Sequence, residues 1–263
     1  MKILFIGDIV GSAGREIIKE GLGKIREREK IDFVIANAEN AAGGSGLTVR
    51  VVEELLASNI DCITSGDHIW SKKDILKIID IEPRLLRPAN YPAGVRGTGS
   101  TILSTKDGIK VGILNLQGRV FMNPIECPFR VASFEIERMK KEVDIIVVDI
   151  HAEATSEKQA LGHWLDGKVS AVLGTHTHTQ TADERVLPQG TAYITDVGMT
   201  GPFESVLGRT IDSVLQRFLT STPVRMDVAE DDLRIQGAII EVDESNSKAN
   251  FIKRFEYRED LSI

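Results

Sequence analysis

Cysteine is nearly absent: Cys62 and Cys127 are the only two among 263 residues, and they form no C-x-x-C pair. Cys62 lies in an apolar strand pattern and reads as core, which fits a reducing cytoplasm. Long apolar runs are missing too. None approaches the roughly 18–20 residues needed to cross a bilayer, so no membrane partner is expected. The first residues form a strand pattern without a basic flank or small-residue cleavage site, so no secretory signal is expected. Positive charge is not in excess. The formal net charge is −7, which argues against a face for long nucleic acid. A small phosphorylated ligand stays admissible, because bound cations reverse a local field. Nucleophilic serine or cysteine catalysis also lacks its signatures. No G-x-S-x-G elbow occurs, and Cys127 precedes a proline without a neighbouring histidine.

What is present reads as one globular domain over residues 1–263, with no linker and no internal repeat. Five short apolar runs each end in polar residues. Lys2-Ile3-Leu4-Phe5-Ile6-Gly7 ends at Asp8, and Asp32-Phe33-Val34-Ile35-Ala36 runs into Asn37-Ala38-Glu39-Asn40. Asp61 to Ser65 is closed by Gly66-Asp67-His68, and Asp144 to Val148 by Asp149-Ile150-His151. The fifth, Val169 to Leu173, leads into Gly174-Thr175-His176-Thr177-His178-Thr179. Apolar faces at helical spacing lie between them: Ile17, Ile18, Leu22 and Ile25; then Val52, Leu55 and Leu56; then Ile75, Ile78 and Ile79. Alternating strand and helix predicts β-α-β units and a largely parallel core.

Residues 82–128, rich in glycine and proline, read as loops and a hairpin covering part of a site, with strands near 100–105 and 109–115. After Thr191 the pattern turns to strands at 192–195, 235–242 and 251–255, with a helix from Arg209 to Leu219. These late strands predict two sheets packed face to face with helices outside.

In such α/β sheets ligands collect beyond the carboxyl ends of the strands. Asp8, Glu39, Asn40, Asp67, His68, His151, His176 and His178 all fall at that edge. His176 and His178 are two apart, and in extended backbone such side chains point the same way, so the imidazoles can converge on a metal. An isolated H-x-H is as readily two hydrogen-bonded loop histidines; the recurrence of polar strand ends favours the metal. His163 sits in a helical pattern away from this edge and reads as structural or surface. Gly7-Asp8-Ile9-Val10-Gly11-Ser12-Ala13-Gly14 follows a strand, but Ile9 occupies the glycine position of a dinucleotide fingerprint. A carboxylate at Asp8 would repel a pyrophosphate. The donors are oxygen and imidazole nitrogen without thiolate, too many for one tetrahedral ion. They suit two borderline divalent or mixed-valence transition-metal ions roughly 3.5–4 Å apart, bridged by a carboxylate and a hydroxide.

Asp8, Gly66-x-His68, the lone His151 and Gly174-x-His176-x-His178 together resemble the calcineurin-like metallophosphoesterases. Gly7-Asp8-Ile9-Val10-Gly11, Asn37-Ala38-Glu39-Asn40-Ala41, Gly174 through Asp183, and Thr195 through Pro202 look like the bacterial YmdB type. The resemblance covers nearly the whole chain. It implies a four-layer α/β sandwich of two mixed β-sheets flanked by helices, and a metal-dependent phosphodiesterase with 2′,3′-cyclic nucleotides among its substrates. It implies Asp8, Glu39, Asn40 and His178 around one metal. Glu39, Asp67, His151 and His176 would hold the other, with Glu39 bridging and His68 near the leaving group. Iron or manganese is expected ahead of zinc or cobalt, and a homo-oligomer is expected from family likeness alone. Two positions depart from the pattern. Val10 replaces the histidine of the wider superfamily's D-x-H, a loss the YmdB type shares and Asn40 offsets. Asp67 replaces the asparagine of the family's Gly-Asn-His. Competing readings are a nucleotide-sensing protein with little turnover and a phosphomonoesterase.

Overall fold

The apolar runs become strands of two sheets in a computed structural model that describes residues 1–258. In chain order the first half holds β1 (Lys2–Ile6), β2 (Asp8–Ile9), α1 (Gly11–Glu29), β3 (Phe33–Asn37), α2 (Val49–Ala57), β4 (Cys62–Thr64), β5 (Ser100–Ser104) and β6 (Lys110–Gln117). There follow α3 (Pro128–Met139), β7 (Ile145–His151), α4 (Thr155–Leu165), β8 (Ala171–Thr175), β9 (Arg185–Val186) and β10 (Ala192–Ile194). The chain continues through β11 (Met199–Pro202), α5 (Ile211–Thr220), β12 (Leu233–Val242) and β13 (Ala249–Arg258). One sheet has seven strands in the order β2-β11-β12-β1-β3-β4, with β13 paired to β12. The other has six, β5-β6-β7-β8-β10-β9. Strands β1, β3 and β4 run parallel in the first, and β6, β7, β8 and β10 in the second. Among the described residues no helix is long and apolar enough to cross a membrane.

Strand alternation sorts side chains into layers. Ile3 and Phe5 of β1, Phe33 and Ile35 of β3, Ile145 and Val147 of β7, and Ala171 and Leu173 of β8 meet between the sheets. Leu4, Ile6 and Val34 face Ile17, Leu22 and Ile25 of α1 and Val52 and Leu55 of α2. Ile146, Val148 and Val172 face Ala132 and Ile136 of α3 and Leu161 and Leu165 of α4. Helices, sheet, sheet and helices make the expected four layers. Followed to the carboxyl ends, the same alternation keeps Asn37, Thr64, Asp149, His151 and Thr175 on the inward face. The apolar filling of the sandwich there gives way to polar groups.

Three expectations need correction. Ile75, Ile78 and Ile79 belong to a short 3₁₀ turn over Lys73–Lys77 and its exit, not an α-helix. The β5–β6 hairpin builds the second sheet, where β6 pairs with β7, and does not cover the site. Pro128 closes a loop region in the sequence reading but opens helix α3, in whose first turn it lies. Proline is tolerated there because that position has no helical hydrogen bond to lose.

The segment after β8 also differs from extended backbone. His176 and His178 have φ of 100° and 62°, left-handed conformations that cost of order 1–3 kcal/mol each for residues with a Cβ. A buried ion pair holds them. Lys158 Nζ of α4 lies 2.7 Å from Asp196 Oδ2, and both side chains are fully buried. Asp196 Oδ2 also accepts from Thr177 N–H (3.1 Å) and Thr177 Oγ1 (2.8 Å), and its Oδ1 accepts from Gly198 N–H (2.9 Å). Lys158→Met removes the cation at nearly constant volume and strands a buried carboxylate, so it should cost about 3–5 kcal/mol. Urea unfolding measures this, and an unchanged midpoint would show that the pair does not brace the loop.

Candidate metal centre

Each sheet supplies one half of the centre. Asp8 opens β2, Glu39 and Asn40 turn away from the end of β3, and Asp67 begins the 3₁₀ turn after β4. His151 ends β7, and His176 and His178 lie just past β8. Ligand atoms of Glu39, Asp67, His151 and His176 all lie within 4.8 Å of one another, a grouping that could hold a metal ion. His151 Nε2 is central, 3.2 Å from Glu39 Oε1, 3.3 Å from Asp67 Oδ1 and 3.0 Å from His176 Nδ1. Beyond Glu39, Asn40 Nδ2 lies 3.2 Å from Glu39 Oε1 and 3.2 Å from His178 Nε2, which is 3.8 Å from Asp8 Oδ1. Glu39 therefore stands between two groups of donors. His68 stands at the mouth with its side chain 42% exposed. Its Nδ1 is 2.8 Å from Asn40 Oδ1 and 3.2 Å from Glu39 Oε1, and its backbone N–H donates to Glu39 Oε2.

Do these groups fit a cation? Asp8 Oδ1 and Asp67 Oδ1 are buried without a hydrogen-bond partner, and buried carboxylate oxygens need one. Each of the three imidazoles spends the nitrogen turned away from the cluster on another acceptor. His151 Nδ1 lies 3.0 Å from Thr175 Oγ1, His176 Nε2 lies 3.2 Å from Glu153 Oε2, and His178 Nδ1 lies 3.2 Å from the Leu207 carbonyl. Such outer bonds leave the inner nitrogen with its lone pair, as metal-ligating histidines require. Room is kept as well. A Cβ at Gly66 would lie 2.1 Å from His151 Cδ2 and 2.5 Å from Glu39 Oε2.

Electrostatics agree. Burial pushes Asp8 up to about 7, with Glu39 and Asp196 adding repulsion. Burial would also raise Glu39, but His151 and His68 hold it well below the usual carboxylate range. Burial works against a charged His151, yet Glu39, Asp67 and Asp8 raise it well above the usual imidazole value. Burial and His151 lower His176 to about 4, and burial lowers His178. Protein groups alone thus balance the carboxylates with protons on His151 and Asp8. A divalent cation would replace those protons.

All eight residues expected at this edge are gathered here, but His176 and His178 converge through left-handed backbone rather than strand alternation. Glu153, Arg209, Thr175, Asp149, Asn37 and Thr64 were not singled out in the sequence. Arg209 lines the same cleft of about 350 Å³ as His68 and Glu39. Its guanidinium hydrogen-bonds the Met226 carbonyl at 2.9 Å and the Gly44 carbonyl. Only the alternation Asp149-x-His151 carried a signal, since it puts an acid on the same face as the histidine.

A two-sheet α/β sandwich with acids and imidazoles at one carboxyl edge is the metallophosphoesterase architecture. A solved structure of the calcineurin-like phosphoesterase YfkN from Bacillus subtilis shares this fold. Its TM-score is 0.56 at 14% identity, covering 100% of this chain and 92% of that one. The chain belongs to the YmdB-like protein family, whose model matches residues 4–255. It is 48% identical over 260 residues to a 2′,3′-cyclic-nucleotide 2′-phosphodiesterase of Bacillus subtilis (strain 168), covering 99% of this chain and 98% of that protein. A crystal structure described as a novel phosphatase from Mycoplasma pneumoniae superposes with a TM-score of 0.91. That chain is 35% identical, with 98% of this chain and 93% of the other covered.

Gly66→Ala is expected to leave the fold intact and to lower the metal content of protein purified without chelator, because its methyl group would occupy the space beside His151 and Glu39. Elemental analysis checks this. Full metal content in a folded Gly66→Ala protein would show that the centre lies elsewhere.

Proposed function

We propose that this chain is a metal-dependent phosphodiesterase acting on small phosphodiesters, with 2′,3′-cyclic nucleotides as the substrate class. The observation that carries it is the set of three imidazoles with their outer nitrogens bonded and their inner nitrogens turned on Asp8, Glu39 and Asp67. Asp8, Glu39, Asn40 and His178 would hold one ion. Glu39, Asp67, His151 and His176 would hold a second, with Glu39 shared. The oxygen and imidazole set without thiolate suits iron or manganese ahead of softer ions. Two such ions supply a water nucleophile at neutral pH and neutralise charge on the phosphoryl oxygens.

The chain's own groups do the rest. Nδ1 of His68 makes the contacts to Asn40 and Glu39, which leaves Nε2 to carry a proton into the cleft. The hydrogen bond that Glu39 accepts from the ring raises the His68 pKa against the effect of burial, so the ring is protonated further toward neutral pH. There it serves as general acid: water adds to phosphorus and gives up a proton to solvent, the bond from phosphorus to the ribose oxygen breaks, and His68 protonates that oxygen. The cleft of about 350 Å³ is of a size for one nucleotide. Two unpaired cysteines suit a cytoplasmic setting.

The reading is tested by metal analysis followed by hydrolysis of 2′,3′-cyclic nucleotides beside nucleoside monophosphates, each with defined metals. Tight binding without product would favour a sensor, and faster monoester cleavage a phosphomonoesterase. His68→Ala should lower turnover roughly 10²–10⁴-fold with metal retained. The loss should shrink for a nitrophenyl ester, whose leaving group needs little protonation. Equal losses across leaving groups would remove His68 from the acid role. Asp67→Asn takes one negative charge from the cluster, so it should weaken metal retention and move the acidic limb of the pH–rate profile to lower pH. An unchanged limb with unchanged retention would mean that Asp67 does not ligate.

A further inference from the structure

Asp149 is fully buried, yet no cation pairs with it among the described residues. Its neighbours on the inward face of β7 are Val147 and His151, and a valine in its place would continue the core up to the histidine. Instead the carboxylate gathers three neutral donors from three other strands. Oδ2 accepts from Thr64 Oγ1 at 2.6 Å and from Asn37 Nδ2 at 3.1 Å, and Oδ1 accepts from Thr175 Oγ1 at 2.8 Å. Thr64 and Asn37 belong to one sheet, Asp149 and Thr175 to the other. The group ties the sheets together directly beneath the metal centre.

A threonine hydroxyl has one hydrogen. Thr175 gives its hydrogen to Asp149, so only its lone pairs face His151 Nδ1, 3.0 Å away. Nδ1 must then be the protonated nitrogen, and Nε2 carries the lone pair that points at Glu39, Asp67 and His176. The Asn37 amide nitrogen also approaches Nδ1, at 3.4 Å, but it lies closer to Asp149, at 3.1 Å. We infer that Asp149 and Thr175 are positioning residues. Through the Thr175 hydroxyl, the buried carboxylate fixes the tautomer and ring orientation of His151 and strengthens it as a ligand. This rests on the metal reading above and adds to it the device that presets one ligand.

The test uses the full chain loaded with zinc, which is diamagnetic and accepts imidazole. In nitrogen-15 spectra of the wild type, His151 should show a hydrogen-bonded proton on Nδ1 and metal on Nε2. Thr175→Val keeps the shape and deletes the relay; Thr175→Ser restores the hydroxyl. Competition against a chelator should show zinc affinity roughly 10–100-fold lower for Thr175→Val, the usual scale for an outer partner of a metal-bound histidine, and near wild type for Thr175→Ser. The Nδ1 proton should lose its hydrogen-bonded shift in the first variant and regain it in the second. Wild-type affinity in a folded Thr175→Val, or a wild-type His151 protonated on Nε2, overturns the relay while the metal reading stands. The wild-type spectrum decides even where Thr175→Val does not fold. A wild-type chain that takes up no zinc, iron or manganese overturns the metal reading and the relay with it.

Discussion

The contact between the two sheets is the constraint on which the site depends. Along most of its length it is dry, filled by Phe5, Phe33, Ile35, Val147 and Leu173. At the carboxyl end it must admit Asp8, Glu39 and His151, each at most 1% exposed. The acids Asp8, Glu39 and Asp67 come from one sheet and the imidazoles His151, His176 and His178 from the other, so no single β-α-β unit contains a complete centre. The dry part sets the spacing, to which dispersion and burial both contribute. The polar part is tolerated because its members satisfy one another across the gap. A slip of one residue in β7 would turn His151 outward and Ile150 inward, and the centre would vanish.

That dependence explains what was legible in the sequence. Apolar runs ending in Asp8, Glu39, Asp67 and His151 are local signals, and the strands formed where the runs lie. Which sheet each strand joins is not local, and the β5–β6 hairpin shows it. Its sequence marks a turn between two strands but not that β6 lies beside β7 rather than over the cleft. The helix-like spacing of Ile75, Ile78 and Ile79 was misleading for a related reason. Burial on one side is needed equally by a short 3₁₀ turn packed against a sheet. Thr175, Asn37 and Thr64 were hidden because they are unremarkable polar residues at strand ends. Their role arises only when two sheets meet.

The histidine loop shows strain and stability traded within one segment. Strand geometry would carry His176 and His178 along the sheet; left-handed backbone at both instead folds them back over Asp8 and Glu39. Such conformations persist only where their surroundings over-determine them. Here Asp196 accepts from the Thr177 backbone and hydroxyl between the two histidines, and Lys158 pins Asp196 from behind. His176 N–H adds a bond to Asp8 Oδ2 at 3.1 Å, so the strained loop is also fastened to the opposite sheet. A buried ion pair is a weak source of net stability compared with apolar packing of the same volume. Its place here is better explained by the shape it enforces.

The outer partners of the imidazoles differ in kind, and the difference follows depth. His151, fully buried, leans on Thr175 and a buried carboxylate. His178 leans on a backbone carbonyl, and His176 on Glu153, whose side chain is 50% exposed. An exposed acid is screened by water and keeps rotamer freedom, so it orients its partner weakly. His68, at the mouth, is the most exposed imidazole of the group. Rigidity therefore falls from the floor of the cleft to its rim. A centre that must retain metal while admitting and releasing a ligand needs that gradient, since the floor sets the position of charge and the rim adjusts to what enters. It also orders the expected damage from substitutions: changes beneath His151 should act on metal affinity, and changes at His68 on turnover.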